Sequence, residues 1–378
     1  MQNNSSVNKT ENMKLKIKNL SRTFLIITSL LIFYSCGNNK KSSNQSDQSG
    51  LLVISEGAFQ GGNGSLSFVV TNESSSIDTV RQNFFQEVNG RTMGNLANHI
   101  SKDDKYIYAV MNGAATVEVI DVNSFLSQKV ISGFKSPRQS LSIDNDILLV
   151  SDWGTNSIYK VDLTLGAIVD SLKAGIGPEG MVAYSSANTI SGKKLFVANS
   201  GGYGVDSTIS VYDIDSWTHE VDIQVGINPK EILIDSFGTV WVLCSGLDTY
   251  GQGVDRYSSL INIEPLTKTI ISDLVNPVLD NNPSRLRINP EGNRLYFLQD
   301  SYSGSVVEFD ITSTSFPTQK IINHSAYGLA IDESNGNILL LDALDYQSPG
   351  MAIIYDKSGV ALDSSNIGLI PAGAITID

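Results

Sequence analysis

The chain has 378 residues and a formal net charge of −13 at pH 7. Such an acidic chain repels phosphate backbones, so nucleic acid is excluded as an expected partner. Its only cysteines are Cys36 and Cys244, which also excludes a small fold held together by several disulfide bonds.

The N-terminal segment, residues 1–35, has the order of parts of a bacterial secretion signal. A basic stretch precedes an apolar run that is too short for a comfortable membrane span. The run ends in FYSC, which resembles a lipobox and predicts lipid attachment at Cys36. Met13 is an alternative start, because the signal pattern begins there. The polar residues 36–50 then predict a flexible tether.

Three types of strand-like segment recur in a fixed order from Leu51 onward. Examples in chain order are SPRQSLSID (136–144), ILLVSDWG (147–154) and NSIYKVD (156–162). Each type occurs seven times, and a weaker fourth segment follows the third. Four short strands that recur about every 45 residues have the spacing of propeller blades.

The two ends of the repeat region are out of phase with each other. The region starts on a segment of the second type at Leu51, and it ends on IPAGAITID (370–378), which is of the first type. We expect this last segment to complete blade one and to remove the open edge of its sheet. The sequence therefore predicts an all-β fold, a seven-bladed β-propeller over residues 51–378, closed by the C-terminal strand. A two-sheet sandwich would not explain the sevenfold cycle.

The second segment of each blade is apolar enough to supply the core between blades. The expected core residues are Leu148, Val150, Phe196, Val240, Val242, Leu295, Phe297, Leu339 and Leu341. Cys244 lies in the same kind of segment, TVWVLCSG, and is expected to be a buried, unreactive thiol.

The phase of the repeats also predicts the orientation of the loops. We call the four strands of a blade A to D from the inside outward. The B–C and D–A loops then share one face of the ring, the B–C/D–A face, and the A–B and C–D loops share the opposite face. Gly50 and Asp378 both fall at an A–B position, so the tether is expected to leave from the opposite face.

The repeats resemble those of a known group of propellers. SDWGTNSIYKVDLT and LFVANSGGYGVDSTISVYDIDS resemble repeats of YncE-like and NHL-type seven-bladed propellers. The lipobox followed by SEGAFQGGNGSLSF resembles propeller lipoproteins of Bacteroidetes outer membranes. That resemblance implies an outer-membrane location, and some members of the group bind corrinoids beside TonB-dependent transporters.

The B–C/D–A face is predicted to carry the ligand site. Its B–C loops supply aromatic candidates, namely Phe59, Trp153, Tyr203, Tyr250, Tyr302 and Tyr346. Its D–A loops supply polar candidates, namely Arg91, Arg138, Glu179, Lys230, Arg285 and Tyr327. Flat aromatic rings with polar tips and planar guanidinium groups suit a large polar organic ligand or a protein. The alternative is that the aromatics only pack against their own loops.

A column of polar residues, one for each blade, ends the B strands and is expected to ring the central mouth. They are Glu56, Asn112, Asp152, Asn199, Ser245, Asp300 and Asp342. The weak metal-ligand candidates among them are Glu56, Asp152, Asp300 and Asp342, with calcium as the cation. The alternative is that each side chain bonds its own turn.

An enzymatic site is not predicted. The three histidines, His99, His219 and His324, all lie outside the B–C loops, and His99 is expected near the opposite face. Lyase-type propellers that the chain resembles need a histidine base near the shaft. The sequence has no nucleophile elbow, paired zinc-ligand spacing or phosphate loop.

The leading hypothesis is a lipid-anchored outer-membrane protein, on the cell surface or the periplasmic side, that captures a bulky polar small molecule. By resemblance, a corrinoid is the first candidate ligand and a TonB-dependent transporter the candidate partner. One alternative is a protein-docking propeller without a small-molecule ligand. The other is a calcium-dependent lactonase-type enzyme using Glu56, Asn199 and Asp300. No organic cofactor is expected.

Overall fold

The computed structural model describes residues 49–59, 62–185, 192–202, 205–247, 256–279, 282–299 and 304–377. Several predicted features lie outside these residues: the signal segment, Cys36, most of the tether, Tyr203, Tyr250, Asp300 and Tyr302. Within the described ranges, no helix is long and apolar enough to cross a membrane.

The described residues form seven four-stranded antiparallel sheets, one for each blade. In blades one to three the strands are β1 (Gly50–Ser55), β2 (Ser65–Thr71), β3 (Ile77–Arg81), β4 (Ala97–Lys102), β5 (Tyr106–Met111), β6 (Thr116–Asp121), β7 (Ser127–Ser132), β8 (Pro137–Ser142), β9 (Ile147–Asp152), β10 (Ser157–Asp162) and β11 (Ala167–Lys173).

Blades four to seven continue the same pattern. Their strands are β12 (Pro178–Tyr184), β13 (Lys194–Asn199), β14 (Thr208–Asp213), β15 (Thr218–Gln224), β16 (Pro229–Ile234), β17 (Val240–Cys244), β18 (Ser259–Glu264), β19 (Thr269–Val275), β20 (Ser284–Ile288), β21 (Arg294–Leu298), β22 (Val306–Asp310), β23 (Lys320–Ile322), β24 (Gly328–Ile331), β25 (Ile338–Asp342), β26 (Met351–Tyr355) and β27 (Ala361–Asn366).

The C-terminal strand β28 (Pro371–Ile377) closes the ring as predicted. It pairs antiparallel with β1, with Leu52 opposite Ile375 and Val53 opposite Ala374, and so becomes the innermost strand of blade one. Each inner strand contacts the inner strand of the next blade, and β28 lies between β24 and β4. The seven-bladed, all-β prediction is therefore confirmed.

The core lies between neighbouring blades rather than at the centre of the ring. The nine residues predicted for this core are all buried. Leu339 and Leu341 of blade seven, for example, pack with Leu51 and Val53 of blade one. Cys244 is buried as expected, and burial raises the pKa of its thiol to about 12, which disfavours the reactive thiolate.

The D–A connection of blade one contains a short helix, α1 (Phe84–Asn89), that the repeat pattern does not predict. Phe84 and Phe85 are buried, and the Phe84 ring packs 5.2 Å from that of Phe68 and 4.9 Å from that of Phe125. The helix is thus held by aromatic packing onto blades one and two, and it changes the course of the chain just before Arg91.

Candidate functional site

The turns that lead into several inner strands share one local design. Gly177, Asn228 and Asn282 have positive φ angles of 62°, 53° and 57°. Each is followed by a proline, which fixes its own φ and needs no amide partner. Glycine and asparagine tolerate the left-handed conformation better than other residues do. The sequences Gly-Pro and Asn-Pro therefore set the direction in which these inner strands begin.

A β-bulge follows near the start of most inner strands. The pairing with the second strand of the blade shifts register early in β4, β8, β12, β16 and β20. A bulge re-aims the side chains beside it. The residues at or next to these shifts, together with their counterparts in blades seven and one, line the centre of the ring: Asn98, Arg138, Glu179, Lys230, Arg285, Tyr327 and Ala372.

Two cavities with shared walls occupy this centre. One, of about 190 Å³, lies at the B–C/D–A face and is bordered by Trp153 and Lys230. The other, of about 280 Å³, extends along the inner strands and adds Glu56, His99 and Arg287. We call the polar residues around both cavities the central site: Glu56, Asn98, His99, Arg138, Glu179, Lys230, Glu231, Arg285, Arg287 and Tyr327.

Two arginines of the central site are paired with glutamates. Arg138 donates through Nε and Nη2 to the carboxylate of Glu179, at distances of 3.0–3.2 Å, and its guanidinium lies 4.1 Å from the centre of the Trp153 ring. Arg287 is 3.4 Å from Glu231 through Nη1 and also donates to two backbone carbonyls. These pairs hold the wall of the site in place.

Two other cations of the central site lack such partners. In the described part of the chain, Lys230 Nζ makes no hydrogen bond or ion pair. Among the same described residues, the Arg285 side chain makes one hydrogen bond, from Nε to the carbonyl of Tyr327 at 3.0 Å. Arg285 also has a φ of 62°, which costs a residue with a Cβ about 1–2 kcal/mol. The terminal nitrogens of Arg285 and the Lys230 ammonium are therefore available to a ligand.

His99 supplies a third donor with a defined tautomer. The backbone N–H of Ser140 points at His99 Nδ1 at 3.3 Å, and an amide N–H can only donate. Nδ1 must then accept, so the imidazole proton sits on Nε2. Burial, helped by the charges of Arg287 and Arg285, lowers the pKa of His99 to about 3. His99 is thus neutral at physiological pH.

The location of His99 corrects the expectation from the sequence. His99 was expected near the opposite face, away from the shaft, but it lines the inner cavity. The reason is the bulge between Ala97 and His99 in β4, which alters which side chains the strand presents to the channel. A histidine does stand near the shaft of this propeller.

Glu56 and Tyr327 join blade one to blade seven across the mouth of the site. Tyr327 donates its hydroxyl hydrogen to Glu56 Oε1 at 2.8 Å. Burial raises the pKa of Glu56, although this hydrogen bond and the charges of Arg285 and Arg138 act in the opposite direction. Burial also raises the pKa of Tyr327. Glu56 is therefore a carboxyl group that gains protons more readily than an exposed one.

Of the three metal-ligand candidates that the structure describes, only Glu56 lies in the central site. Asp152 accepts hydrogen bonds from backbone amides of its neighbouring turns, including those of Ser136 and Thr155. Asp342 bonds His324 and the amide of Leu344. Among the residues that the structure describes, no three His, Cys, Asp or Glu side chains form a group that could hold a metal ion. Asp300 lies outside them.

The predicted ligand residues that the structure describes divide into two groups. Arg138, Trp153, Lys230, Arg285 and Tyr327 come together at the mouth of the channel. Tyr346 lies beside them, with its ring perpendicular to that of Tyr327 at 5.8 Å.

Arg91 and Phe59 do not join this group. Arg91 follows helix α1, lies over the Phe85 ring and pairs with Glu118 at 2.6 Å and the Ser127 hydroxyl at 2.8 Å. The helix therefore holds Arg91 against blade two. Phe59 is 76% exposed and borders neither cavity.

Glu231 and Arg287 are central-site residues that the sequence analysis missed. Both occur in inner strands, in NPKEILID (228–235) and NPSRLRIN (282–289), where charges interrupt an otherwise apolar segment. Because inner strands line the channel of a propeller, a charge at that position is the signal that would have identified them.

Similarity to known proteins is visible in structure but not in sequence. No protein-family model and no curated protein sequence matches the chain significantly. A quinoprotein alcohol dehydrogenase-like protein from Bacteroides thetaiotaomicron has a similar structure, with a TM-score of 0.66, 12% identity, and coverage of 88% of this chain and 80% of that one.

Two candidate 6-phosphogluconolactonases are also similar. The one from Bacteroides uniformis has a TM-score of 0.63, 12% identity and coverage of 87% of this chain and 100% of that one. The one from Bacteroides fragilis has a TM-score of 0.59, 14% identity and coverage of 89% and 99%. Similarities at this level of identity establish the fold alone: the chain is a seven-bladed β-propeller.

Proposed function

We propose that the protein captures an organic anion in the central site. The observation that carries this proposal is a set of hydrogen-bond donors without partners among the described residues: Lys230 Nζ, the terminal nitrogens of Arg285 and the Nε2–H of His99. These residues are half-buried, and a donor that is partly removed from water without an acceptor costs free energy. A carboxylate or phosphate group would supply acceptors to all three.

The basic residues of the central site contrast with the acidic charge of the chain as a whole. The chain is acidic, with 39 Asp and Glu against 26 Lys and Arg. Four of its basic residues nevertheless surround one channel: Arg138, Lys230, Arg285 and Arg287. Glu56, Glu179 and Glu231 border the same channel, so the four cations leave a formal surplus of one positive charge there. In a chain that is acidic overall, such a local surplus within low-dielectric walls favours ligands of the opposite sign. Trp153 and Tyr327 add apolar faces at the entrance.

The cellular part of the proposal rests on the N-terminal sequence and on the resemblance to propeller lipoproteins. We propose that Cys36 carries a lipid at the outer membrane and that the ligand passes to a TonB-dependent transporter. Gly50 pairs with Ile377 at the far end of the inner strands, so the chain enters the ring on the face opposite the mouth. A tether at that face leaves the central site open.

Corrinoids are the first bulky ligands to test, because of the same resemblance. Cavities of about 190 and 280 Å³ hold only one polar group of such a molecule. Its ring would lie over the loops of the B–C/D–A face, where Tyr346 and Phe59 are exposed. Small organic acids, in contrast, fit inside the channel.

Calorimetry on the full-length chain in mild detergent tests the binding proposal. We expect binding of organic acids or corrinoids, and Arg285→Gln should weaken it about 10- to 100-fold through loss of a charge-assisted hydrogen bond. The matched control is Arg294→Gln in the same blade, because Arg294 pairs with Asp310 at the opposite face. Absence of binding by every ligand, combined with co-purification of a transporter, would favour the protein-docking alternative.

Fractionation of cells tests the anchor. Cys36→Ser should move the protein from the membrane fraction to the soluble fraction without changing its melting temperature. A variant that stays in the membrane would contradict lipid attachment at this residue.

A lactonase-type enzyme is the second candidate, and the location of His99 favours it. A neutral imidazole can polarise a carbonyl group, and a carboxylic acid with a raised pKa, such as Glu56, can transfer protons. Acid release from a phosphorylated sugar lactone, measured at constant pH, would test this activity. The activity should disappear in His99→Gln if His99 has this role.

A further inference from the structure

We propose that Lys230 binds carbonyl compounds covalently, as an imine, and that 2-oxo acids are the ligand class of the central site. This inference rests on the proposed function, because it concerns the same cavity. It adds a chemical reaction and a ligand class that anion capture alone does not require.

The position of Lys230 allows its side chain to react with a ligand in the cavity. It sits at the register shift of β16, directly after Pro229, and borders the outer cavity together with Trp153 and Tyr327. No carboxylate lies within ion-pair distance of its ammonium in the described residues. By contrast, Lys194 at the opposite face bonds both Asp213 and Glu220, at 2.8 and 2.6 Å. Lys230 is therefore free to approach a ligand in the cavity.

The surroundings of Lys230 make its neutral form, which is the nucleophile, more accessible than that of an exposed lysine. Burial lowers the pKa of Lys230, and the charges of Arg285 and Arg138 act in the same direction, against Glu179 and Glu231. A lysine amine in a desolvated pocket beside other cations is the usual arrangement for imine formation.

Imine formation needs only water as a proton carrier in this cavity. Lys230 first gives its ammonium proton to water. The amine nitrogen then adds its lone pair to the carbonyl carbon, the C=O π electrons move to oxygen, and a proton moves from nitrogen to oxygen, giving a carbinolamine. The hydroxyl group takes a proton back from the solvent and leaves as water, while the nitrogen lone pair forms the C=N bond of a protonated imine. No oxidant or reductant is consumed.

The position of Arg285 favours 2-oxo acids over other carbonyl compounds as ligands. In a 2-oxo acid the carboxylate is directly bonded to the carbonyl carbon, so a cation must lie close to the reacting amine. Arg285 borders the same cavity, and its terminal nitrogens have no hydrogen-bond partner in the described part of the chain. A guanidinium group binds a carboxylate through two parallel hydrogen bonds. A simple aldehyde has no carboxylate to accept hydrogen bonds from the terminal nitrogens of Arg285.

Reductive trapping tests the covalent step. The full-length chain in mild detergent is incubated with pyruvate and cyanoborohydride, and the modified peptides are identified by mass spectrometry. We expect a reduced pyruvate adduct at Lys230 and little at Lys194 or at the exposed Lys357. Labelling of Lys230 that does not exceed that of Lys357 would overturn the proposal, as would absence of an adduct at Lys230.

A matched pair of ligands separates this inference from simple anion capture. Lactate keeps the carboxylate of pyruvate but has no carbonyl group. Imine formation predicts that pyruvate binds about tenfold or more tightly than lactate, and that Lys230→Met removes the difference. Arg285→Gln should weaken both ligands. Thermal melts of both variants show whether the propeller still folds.

The other outcomes of these experiments decide between imine formation, simple anion capture and neither. If pyruvate and lactate bind equally and Lys230→Met weakens both equally, Lys230 acts only as a charge; the imine is then wrong and the anion site stands. If neither acid binds the wild-type chain and no adduct forms, the 2-oxo acid assignment fails. If every organic acid and corrinoid also fails to bind, the proposed function fails with it.

Discussion

Two clusters of charged residues on opposite sides of the ring use the same side chains differently. At the A–B/C–D face, Lys194 bonds Asp213 and Glu220, and Lys268 bonds Glu220 at 2.8 Å, so each lysine has a carboxylate partner. At the B–C/D–A face, Lys230 and Arg285 border a cavity, and neither has a carboxylate within ion-pair distance among the described residues. The lysines of the first cluster are therefore paired within the protein, whereas Lys230 and Arg285 keep donors that we propose a ligand binds.

The contribution of a charged side chain to stability depends on its burial and on whether it has a partner of opposite charge. Ion pairs near the surface contribute little to stability, because water already solvates both charges. Cations kept half-buried and unpaired cost stability, because water is partly removed and no carboxylate replaces it. A protein tolerates that loss of stability most readily at a site where ligand binding compensates for it. The contrast between the two clusters is therefore the main reason to assign binding to the central site.

The largest expected effect comes from deleting residues 370–378. Without β28, blade one loses its inner strand, β1 presents an unpaired edge, and Ala372 and Gly373 no longer border the channel. We expect aggregation or loss of a cooperative thermal transition, a larger effect than that of ordinary point mutations. Circular dichroism melts and size-exclusion chromatography measure it. A truncated chain that melts like the wild type would contradict the closed ring.

The second prediction concerns the pH dependence that His99 contributes. Its pKa falls from 6.5 to about 3 on folding, so between these values the unfolded chain binds a proton that the folded chain does not. His99 therefore stabilises the fold fully above pH 6.5, and this contribution is lost as pH falls toward 3, at up to about 1.4 kcal/mol per pH unit.

The comparison with His99→Gln isolates this contribution. Glu56, whose pKa is raised on folding, acts in the opposite direction: its contribution is present below pH 4.5 and decreases as pH rises through its folded pKa. Glu56 is present in both proteins, so the difference between them reports His99. Denaturant unfolding of both proteins from pH 4 to pH 7 gives this difference. Equal slopes in the two proteins would contradict a neutral, buried His99.

The smallest expected effect belongs to the self-paired cluster. Lys268→Gln removes one ion pair with Glu220, but Lys194 still neutralises that carboxylate. We expect the free energy of unfolding to fall by less than about 1 kcal/mol, and ligand binding to stay unchanged. A clear loss of binding in this variant would show that the two clusters are coupled, and would weaken the contrast between them.

The fold was predictable from the sequence because the same order of strand-like segments recurs along the chain. Seven copies of the same three segments reveal the blades, and the unmatched first-type segment at 370–378 predicts the closure. The meeting of Arg138, Lys230 and Arg285 was also predictable. Arg138 and Lys230 directly follow the proline that opens the inner segment of blades three and five, and Arg285 lies one residue further along in blade six. Nearly equivalent places in the blades of a propeller meet at the axis.

The rest of the site depends on local geometry that the repeats do not carry. Arg91 belongs to the same kind of D–A connection, but it precedes β4, where Asn98 takes the place of Arg138. Contacts with Phe85 of helix α1 and with Glu118 hold Arg91 against blade two. His99 reaches the cavity through a bulge in β4, and a bulge depends on the pairing of two strands rather than on one segment. The partners of a side chain, such as the absence of a carboxylate beside Lys230 among the described residues, likewise depend on several blades together.

The most direct test of the central claim compares two double variants by calorimetry. Lys230→Met/Arg285→Gln removes the unpaired cations, and Lys194→Met/Arg294→Gln removes the same residue types from the opposite face. With the full-length chain and pyruvate as the ligand, we predict that the first variant loses the heat of binding and the second keeps it. Equal binding by the two variants would contradict the assignment of the ligand to the central site.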